Sequence, residues 1–156
     1  TKPDIPLKAY ADLKSFKVFL LDVGLLRCLS GLSPKVILEG SRIFEEFKGA
    51  ITEQYVLQEL NTIPHLQSNY YWTSQSKAEV DFLISEGLNV IPLECKAGYT
   101  MNAKSLKSYR EKYSPTMSLR TSLLPYERNE GVCNIPLYIL FAINNEIRTT
   151  EEIHNH

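Results

Sequence analysis

Apolar residues recur at helical spacing over residues 41–63, whose sequence is SRIFEEFKGAITEQYVLQELNTI. Apolar side chains three or four positions apart line one face of a helix. The pattern therefore predicts a helix that has Ser41 as its N-cap and ends before Pro64. Glu53 lies seven positions before Leu60, so its carboxylate falls on the apolar face of that helix.

Apolar and polar residues alternate along three short runs in the middle of the chain. Alternation with a period of two is typical of strands that bury one face, and polar turn residues separate the runs. The pattern predicts an antiparallel meander with strands at 69–73, 79–85 and 90–97. If the turn EGLN closes a hairpin, Ser85 pairs with Val90.

The remaining segments show a mixture of helical and extended patterns. Residues 102–113 have the spacing of an amphipathic helix. Residues 134–143 fit a helix or an edge strand, and we favour the helix because Pro136 suits a first helical turn. The other predicted features are a strand at 17–20, a turn at 22–24, a helical piece ending near Gly31, and a strand within 116–124.

The order of these elements is helix, three strands, helix and strand, which predicts an α/β or α+β domain with helices flanking a central mixed sheet. A chain of 156 residues suits one domain with a core of ordinary size. We expect a linker with a short strand and a helical piece at 1–33, the core at 34–145, and a frayed polar tail at 146–156.

Composition and charge argue against several classes of protein. The formal net charge is −1, so the whole chain lacks the basic field that holds nucleic acid non-specifically. Three widely separated cysteines argue against a zinc site or a disulfide framework and favour a reducing, cytoplasmic setting. The sequence contains neither a signal peptide nor an apolar run long enough to cross a membrane.

Charged residues interrupt two of the apolar strands. Glu94 and Lys96 are two positions apart, so they face the same side of the third strand. Asp81 stands in the second strand, although aspartate is disfavoured inside strands. Counting outward from the pair of Ser85 and Val90 puts Asp81 directly across from Glu94. Two carboxylates are therefore expected to converge on one face.

The residue types of this group predict metal chemistry. Carboxylate and carbonyl oxygens are the ligands that Mg²⁺ prefers, so we expect Asp81, Glu94 and the carbonyl of Cys95 to bind Mg²⁺ or Mn²⁺. Lys96 would hold an attacking water and stabilise charge in a phosphorane-like transition state. Glu53 would act as a third acid. The group thus predicts metal-assisted phosphodiester hydrolysis, and a charged, solvated strand face is the alternative.

The motifs EQYVLQEL, AEVDFLI and VIPLECKAG resemble those of the PD-(D/E)XK nuclease-like superfamily. The resemblance places Glu53, Asp81, Glu94 and Lys96 on the motif positions and implies a restriction-endonuclease-like core. Val80 stands where the superfamily has a proline. Members of the superfamily include active nucleases and also degenerate copies that serve as binding or structural modules.

Three longer motifs resemble a narrower family. PLKAYADLKSFKVFLLDVGLL, YYWTSQSKAEVDFLI and NIPLYILFAI are similar to the C-terminal domain of unknown function that follows the ATPase module in a group of prokaryotic AAA+-like ATPases, over residues 6–143. The resemblance implies an upstream ATPase module as the partner. The chain has no GxxxxGK[ST] motif and thus no ATP site of its own, and its start without methionine agrees with a piece of a longer protein.

Three functions follow as alternatives. The chain is a Mg²⁺-dependent nuclease acting on DNA or RNA under the control of the ATPase, or a catalytically inactive module that binds a partner or nucleic acid for it. A weaker idea makes Tyr70 and Trp72 an oligomerisation surface, although aromatic pairs on strands usually belong to the core. Lys104, Lys107 and Arg110 suit a phosphate backbone, but a solvated helix face explains them better.

Overall fold

A mixed six-stranded sheet forms the centre of the fold. The computed structural model describes residues 3–33, 35, 42–74, 78–99 and 103–154 of the chain. Within these ranges the helices are α1 (Val23–Leu29), α2 (Arg42–Asn61), α3 (Lys104–Tyr113) and α4 (Ile143–His154), with 3₁₀ turns at Leu7–Tyr10 and Leu137–Ala142. The strands are β1 (Gln67–Thr73), β2 (Glu79–Glu86), β3 (Asn89–Cys95), β4 (Ser118–Ser122), β5 (Glu127–Asn129) and β6 (Val132–Pro136).

The strands lie in the order β1-β2-β3-β4-β6-β5. β1, β2 and β3 form the antiparallel meander that the alternation predicts, and Ser85 pairs with Val90 as expected. α3 carries the chain back across the sheet, so β4 pairs with β3 in parallel. β6 is parallel to β4, and β5 pairs with β6 in antiparallel fashion at the far edge. The predicted mixed sheet flanked by helices is therefore confirmed.

Two apolar clusters hold the helices on the sheet. The larger cluster packs α2 and α4 against the sheet, and Val56 and Leu60 of α2 are fully buried in it. The smaller cluster packs α3, where Tyr109 meets Trp72 edge to face with ring centroids 5.2 Å apart. Each buried side chain of this size stabilises the fold by roughly 2 kcal/mol. These contacts fix the helices that deliver side chains to the site described below.

A bulge in β2 changes the direction of its side chains. Tyr70 of β1 pairs with Leu83, but Trp72 pairs with Val80, so β2 has one more residue than β1 between these pairs. Bulges of this kind re-aim the side chains around them. Val80 and Leu83 consequently share one apolar cluster, whereas strict alternation predicted opposite faces. Asp81 lies inside the bulge.

Two boundaries near the predicted site differ from the sequence expectation. Residues 17–20 are extended but belong to none of the described strands, so the strand predicted there is wrong. β3 ends at Cys95, so Lys96 follows the strand and does not belong to it. The turn predicted at 22–24 is wrong, because α1 begins at Val23; Asp22 is the N-cap of this helix, and its Oδ1 accepts a hydrogen bond from the Leu25 N–H at 2.8 Å. Ser41, the expected cap of α2, lies outside the described residues.

The C-terminal third departs most from the prediction. The hairpin of β5 and β6 was not predicted, because the three residues of β5 are exposed and show no apolar alternation. The helix favoured at 134–143 is wrong over 134–136, which complete β6, and residues 137–142 form a 3₁₀ turn. α4 occupies most of the predicted frayed tail, because Ile143 and Ile147 lie one helical turn apart and are both buried.

None of the helices in the described ranges combines the length and the apolar character that crossing a bilayer requires.

Candidate functional site

Asp81 lies where β2 and β3 part, and it is largely buried. Its Oδ2 accepts a hydrogen bond from the Cys95 N–H at 2.7 Å, so the carboxylate takes the place of a backbone partner at the end of the strand pair. The bulge in β2 aims the side chain, and only 13% of it is exposed. This contact explains why an aspartate is accommodated in an otherwise apolar strand.

Lys17 joins three carboxylates at this point. Its Nζ lies 2.9 Å from Oε2 of Glu53, 2.5 Å from Oε1 of Glu79 and 3.6 Å from Oδ1 of Asp81. We call Glu53, Glu79 and Asp81 the acid cluster. Glu53 comes from α2 and the other two acids from β2, so one amine links the helix, the sheet and the N-terminal segment. Ionised carboxylates this close to a cation hold it strongly when water is largely excluded.

The N-terminal segment presents Lys17 because α2 holds its backbone. The buried side-chain amide of Gln54 accepts a hydrogen bond from the Leu20 N–H at 2.8 Å and donates one to the Leu20 carbonyl at 3.0 Å. Phe19 packs on Phe82 of β2, with ring centroids 6.1 Å apart. Side chains alternate along an extended segment, so Lys17 and Phe19 point to the sheet together. Gln54 therefore acts as a positioning residue for Lys17.

Replacing Gln54 by methionine should loosen this segment. The change removes both hydrogen bonds while keeping a side chain of similar length, so we expect a loss of about 1.5 kcal/mol of unfolding free energy. Hydrogen exchange of the Leu20 amide, which donates to Gln54 in the wild type, should become at least tenfold faster, which corresponds to about 1.4 kcal/mol of opening free energy. Gln58→Met is the matched control, because Gln58 accepts only one hydrogen bond, from the Val23 N–H. Unchanged exchange of the Leu20 amide would contradict the role given to Gln54.

Glu94 and Lys96 form a second group, against the N-terminus of α3. Oε1 of Glu94 lies 2.6 Å from Nζ of Lys96, and Oε2 accepts a hydrogen bond from the Leu106 N–H at 3.1 Å. The N-cap residue of α3, Ala103, makes no side-chain capping bond, so Glu94 caps this helix from β3. Glu94 is 2% exposed. The carboxylate in the run LECKAG thus joins strand, helix and the following lysine.

Two further polar residues follow Glu94 across the next two strands of the sheet. Arg120 of β4 is next to Glu94 in the parallel register, and Asn134 of β6 is next to Arg120. Arg120 is buried and its Nε donates a hydrogen bond to Oδ1 of Asn134 at 2.9 Å. Sequence reasoning missed both residues as well as Lys17. An arginine inside the strand pattern TMSLRTSLL, and a lysine between apolar neighbours in FKVF, are the signals that were available.

Burial and charge shift the pKa values in the acid cluster. Burial, followed by the charges of Glu53 and Glu94, raises the pKa of Asp81 to about 6, while the Cys95 N–H and Lys17 oppose the shift. Burial by itself lowers the pKa of Lys17, but hydrogen bonds to Glu79 and Glu53 and the nearby carboxylate charges raise it well above its usual value. Lys17 is therefore a permanent cation at neutral pH.

The predicted site residues fall into two ion-pair groups. Glu53 and Asp81 share Lys17, whereas Glu94 binds Lys96 and the Leu106 N–H. Catalytic roles for these residues stay a prediction.

The arrangement does not fit a magnesium site as it stands. Both oxygens of Glu94 and Oδ2 of Asp81 are already engaged by N–H groups or an ammonium, and Oδ1 faces Lys17. In the part of the chain that the structure describes, no three His, Cys, Asp or Glu side chains are grouped to hold a metal ion. Binding of Mg²⁺ or Mn²⁺ by Asp81, Glu94 and Cys95 stays a prediction.

A cavity of about 1050 Å³ opens beside the acid cluster. Its wall includes Asp81 and Lys17, residues 70–74 at the end of β1 and part of the N-terminal segment. Trp72 faces the core from this strand, since its Nε1 donates a hydrogen bond to the Tyr113 hydroxyl at 3.2 Å and it is 7% exposed. The expectation that Trp72 belongs to the core is confirmed.

The basic residues of α3 make local contacts. Lys107 is exposed and lies 3.9 Å from Glu111 on the next turn, as expected for a solvated helix face. Arg110 donates a hydrogen bond to the backbone carbonyl of Glu130. These side chains have structural explanations without a phosphate.

Comparison with known proteins gives one family. Neither a curated protein nor a solved structure matches the chain. The family described as "Domain of unknown function (DUF4143)" matches over residues 48–140. This range contains α2 from residue 48 onward, the meander, α3, β4 and the β5–β6 hairpin, and with them both ion-pair groups apart from Lys17. The match covers more than half of the 156 residues, and the chain therefore belongs to the DUF4143 family.

Proposed function

We propose that this chain is a non-catalytic docking module with a restriction-endonuclease-like core, attached to an ATPase. The observation that carries the proposal is the position of Lys17, whose amine contacts Glu53, Glu79 and Asp81 at the point where a nuclease of this kind would hold a metal ion. An internal cation neutralises acids in a fixed geometry and needs no ligand. The acid cluster then serves to fasten the N-terminal segment to the sheet.

The order of elements supports the nuclease-like core. α2, the β1–β2–β3 meander, α3 and β4 follow one another, with β4 parallel to β3. Asp81 and Glu94 stand on adjacent strands and Glu53 on the preceding helix, which are the places that the superfamily resemblance implies. A fold can be retained after its chemistry is lost, because fold and site are separate requirements.

The family supports the attachment to an ATPase. Domains of the DUF4143 family are commonly found after AAA ATPase modules. A module in this position can bring the ATPase to its partner. Exposed apolar side chains on the N-terminal segment, among them Phe16 and Val18, supply surface for such docking.

The role of Glu94 also favours a structural function. A metal ligand needs a free lone pair directed at the ion, and carboxylates that cap a helix and bind a lysine have their oxygens occupied. Glu94 is in this situation and is almost completely buried. Its charge is used to hold β3, α3 and Lys96 together.

A metal titration and a cleavage assay test the proposal. We expect the wild-type chain to bind no Mn²⁺ at millimolar concentration by calorimetry and to cut neither DNA nor RNA. Lys17→Met should gain Mn²⁺ affinity by at least tenfold, about 1.4 kcal/mol, because the acid cluster is left without its cation. Lys14→Met, an exposed lysine in the same segment, is the matched control and should behave as wild type. Cleavage by the wild type that is lost in Lys96→Ala would overturn the proposal.

The second candidate is Mg²⁺-dependent phosphodiester hydrolysis, which one observation favours. The acid cluster has three carboxylates for one lysine, and the charges of Glu53 and Glu94 add to the larger effect of burial in raising the pKa of Asp81 to about 6. A divalent cation would relieve this imbalance if Lys17 moved away. DNA or RNA cleavage that appears only in Lys17→Met and is lost again in Lys17→Met/Asp81→Asn would favour this candidate.

A further inference from the structure

The cavity of about 1050 Å³ lies at the outer edge of the sheet. β1 is the first strand in the sheet order, and residues 70–74 at its end form part of the cavity wall. Cavities that hold small organic ligands in proteins usually measure roughly 300–1000 Å³. The volume therefore suffices for a ligand with two or three aromatic rings.

Aromatic side chains form much of the wall of this cavity. Eight of the 21 described residues that line it are aromatic, whereas aromatic residues make up 10% of the chain. They include Tyr10 of the first 3₁₀ turn, Tyr71 and Trp72 of β1, and Tyr113 at the end of α3. Aromatic rings present a large apolar area and have little rotamer freedom to lose on binding. The wall therefore suits an apolar or aromatic body.

Two lysines line the cavity, one on each face of β1. Tyr71 and Trp72 are neighbours in the strand, so their side chains point to opposite faces. Nζ of Lys17 lies 5.3 Å from the ring centroid of Tyr71, and Nζ of Lys112 lies 5.9 Å from the ring centroid of Trp72. The cavity thus extends around the edge of the sheet and has an ammonium group on either side.

The two lysines differ in their electrostatic surroundings. Lys17 is surrounded by the three carboxylates of the acid cluster, of which Asp81 also lines the cavity. Lys112 is exposed, and among the residues that the structure describes no carboxylate lies within ion-pair distance of its ammonium. An anionic group is therefore favoured on the α3 side of the cavity and disfavoured beside the acid cluster.

Two aromatic rings hold the Lys112 ammonium in position. Besides its contact with Trp72, Nζ lies 5.1 Å from the ring centroid of Tyr113. The two rings are nearly perpendicular, at 87°, and the Trp72 Nε1–H donates a hydrogen bond to the Tyr113 hydroxyl. A contact with ring faces places the cation without a carboxylate. Lys112 therefore keeps its charge for a ligand at the rim of an apolar cavity.

We propose that this cavity binds an amphipathic organic anion. Its apolar body lies among the aromatic side chains, and its anionic group contacts Lys112. A carboxylate, a sulfonate or a phosphate meets this requirement, because the ammonium of lysine binds an anion as a point charge. The inference goes beyond the proposed function, since it concerns a small ligand and not the partner of the ATPase.

A matched pair of fluorescent probes tests the proposal. Anilinonaphthalene sulfonate and phenylnaphthylamine have the same aromatic rings, and the sulfonate alone carries an anionic group. Trp72 is the single tryptophan of the sequence and lines the cavity, so energy transfer from Trp72 to a bound probe reports binding there. We expect the wild type to bind the sulfonate with a dissociation constant in the tens of micromolar, the affinity that about 20 non-hydrogen atoms supply.

Substitutions separate the contribution of the charge from that of the aromatic wall. Lys112→Gln should weaken binding of the sulfonate about tenfold, which corresponds to about 1.4 kcal/mol, and leave binding of the neutral probe unchanged. Lys112→Arg should restore the affinity for the sulfonate. Tyr10→Ala should weaken both probes by a similar factor, about threefold, because it removes part of the wall. Lys107→Gln is the matched control, since Lys107 is exposed on the same helix and does not line the cavity.

Three results would overturn the proposal. The first is an absence of energy transfer to the sulfonate at millimolar concentration. The second is a Lys112→Gln variant that loses affinity for both probes equally or for neither. The third is a loss of sulfonate binding in Val18→Ser, because Val18 is 79% exposed on the surface assigned to docking and does not line the cavity.

Discussion

Glu94→Ala is expected to lower the free energy of unfolding by about 3 kcal/mol, because it breaks a buried ion pair by removing one partner. The substitution leaves the Leu106 N–H at the start of α3 without an acceptor and Lys96 without its carboxylate. It also opens space in a site that is 2% exposed. Urea denaturation followed by far-UV circular dichroism measures the loss.

Glu94→Gln separates the two contributions to this loss. The amide oxygen of glutamine can still accept from the Leu106 N–H, while the charge opposite Lys96 is gone. We expect Glu94→Gln to lose only about 1.5 kcal/mol, the order of one charge-assisted hydrogen bond. Equal losses for the alanine and glutamine variants would show that the helix cap contributes nothing, and a loss below about 0.5 kcal/mol for alanine would contradict the structural role of Glu94.

Asp81 should make the wild-type chain less stable as the pH rises from about 4 to about 6. Its pKa in the folded chain is about 6, above the ordinary value of 3.8, so the folded state binds the proton more tightly than the unfolded state. Stability is then greatest below pH 4, falls between the two pKa values and is level above them. A difference of about 2 pKa units corresponds to about 3 kcal/mol.

Asp81→Asn is the reference for this measurement. Asparagine cannot ionise, and its amide oxygen still suits the Cys95 N–H, so the variant keeps every other titrating carboxyl and loses only this one. Unfolding free energies of both proteins at pH 4 and pH 7 give the result by subtraction. The wild type should lose about 2.4 kcal/mol more than the variant over this range, because the unfolded Asp81 is already more than half ionised at pH 4. Equal changes in unfolding free energy for the two proteins would contradict a raised pKa of Asp81 in the folded chain.

Local patterns were sufficient for the central part of the fold. The alternation in the meander and the turn EGLN predicted the pairing of Ser85 with Val90, and the helical spacing around Leu60 predicted α2. These signals arise from residues close in sequence that bury one face. The bulge at Asp81 is different, because it depends on how β1 and β2 fit together. Alternation alone puts Val80 and Leu83 on opposite faces of β2, whereas both belong to the same apolar cluster.

The site was predictable only in part, for a related reason. Asp81, Glu94 and Lys96 attract attention because charge is unusual in apolar strands. Lys17 looks ordinary in the sequence, and its importance comes from contacts with Glu53, Glu79 and Asp81, which are 36 or more residues away. Arg120 lies beside Glu94, and Asn134 lies beside Arg120, through parallel strand pairing, which local patterns do not determine.

Lys17 binds acids that lie much later in the sequence. Translation therefore limits when these contacts can form. The ribosome releases Lys17 first, and Asp81 follows 64 residues later, as 81 minus 17. At 5 to 20 residues per second this interval is roughly 3 to 13 s. Glu53 and Gln54 are made before Asp81, so the segment can contact α2 first, and Lys17 reaches its full set of acids only after β2 has been made.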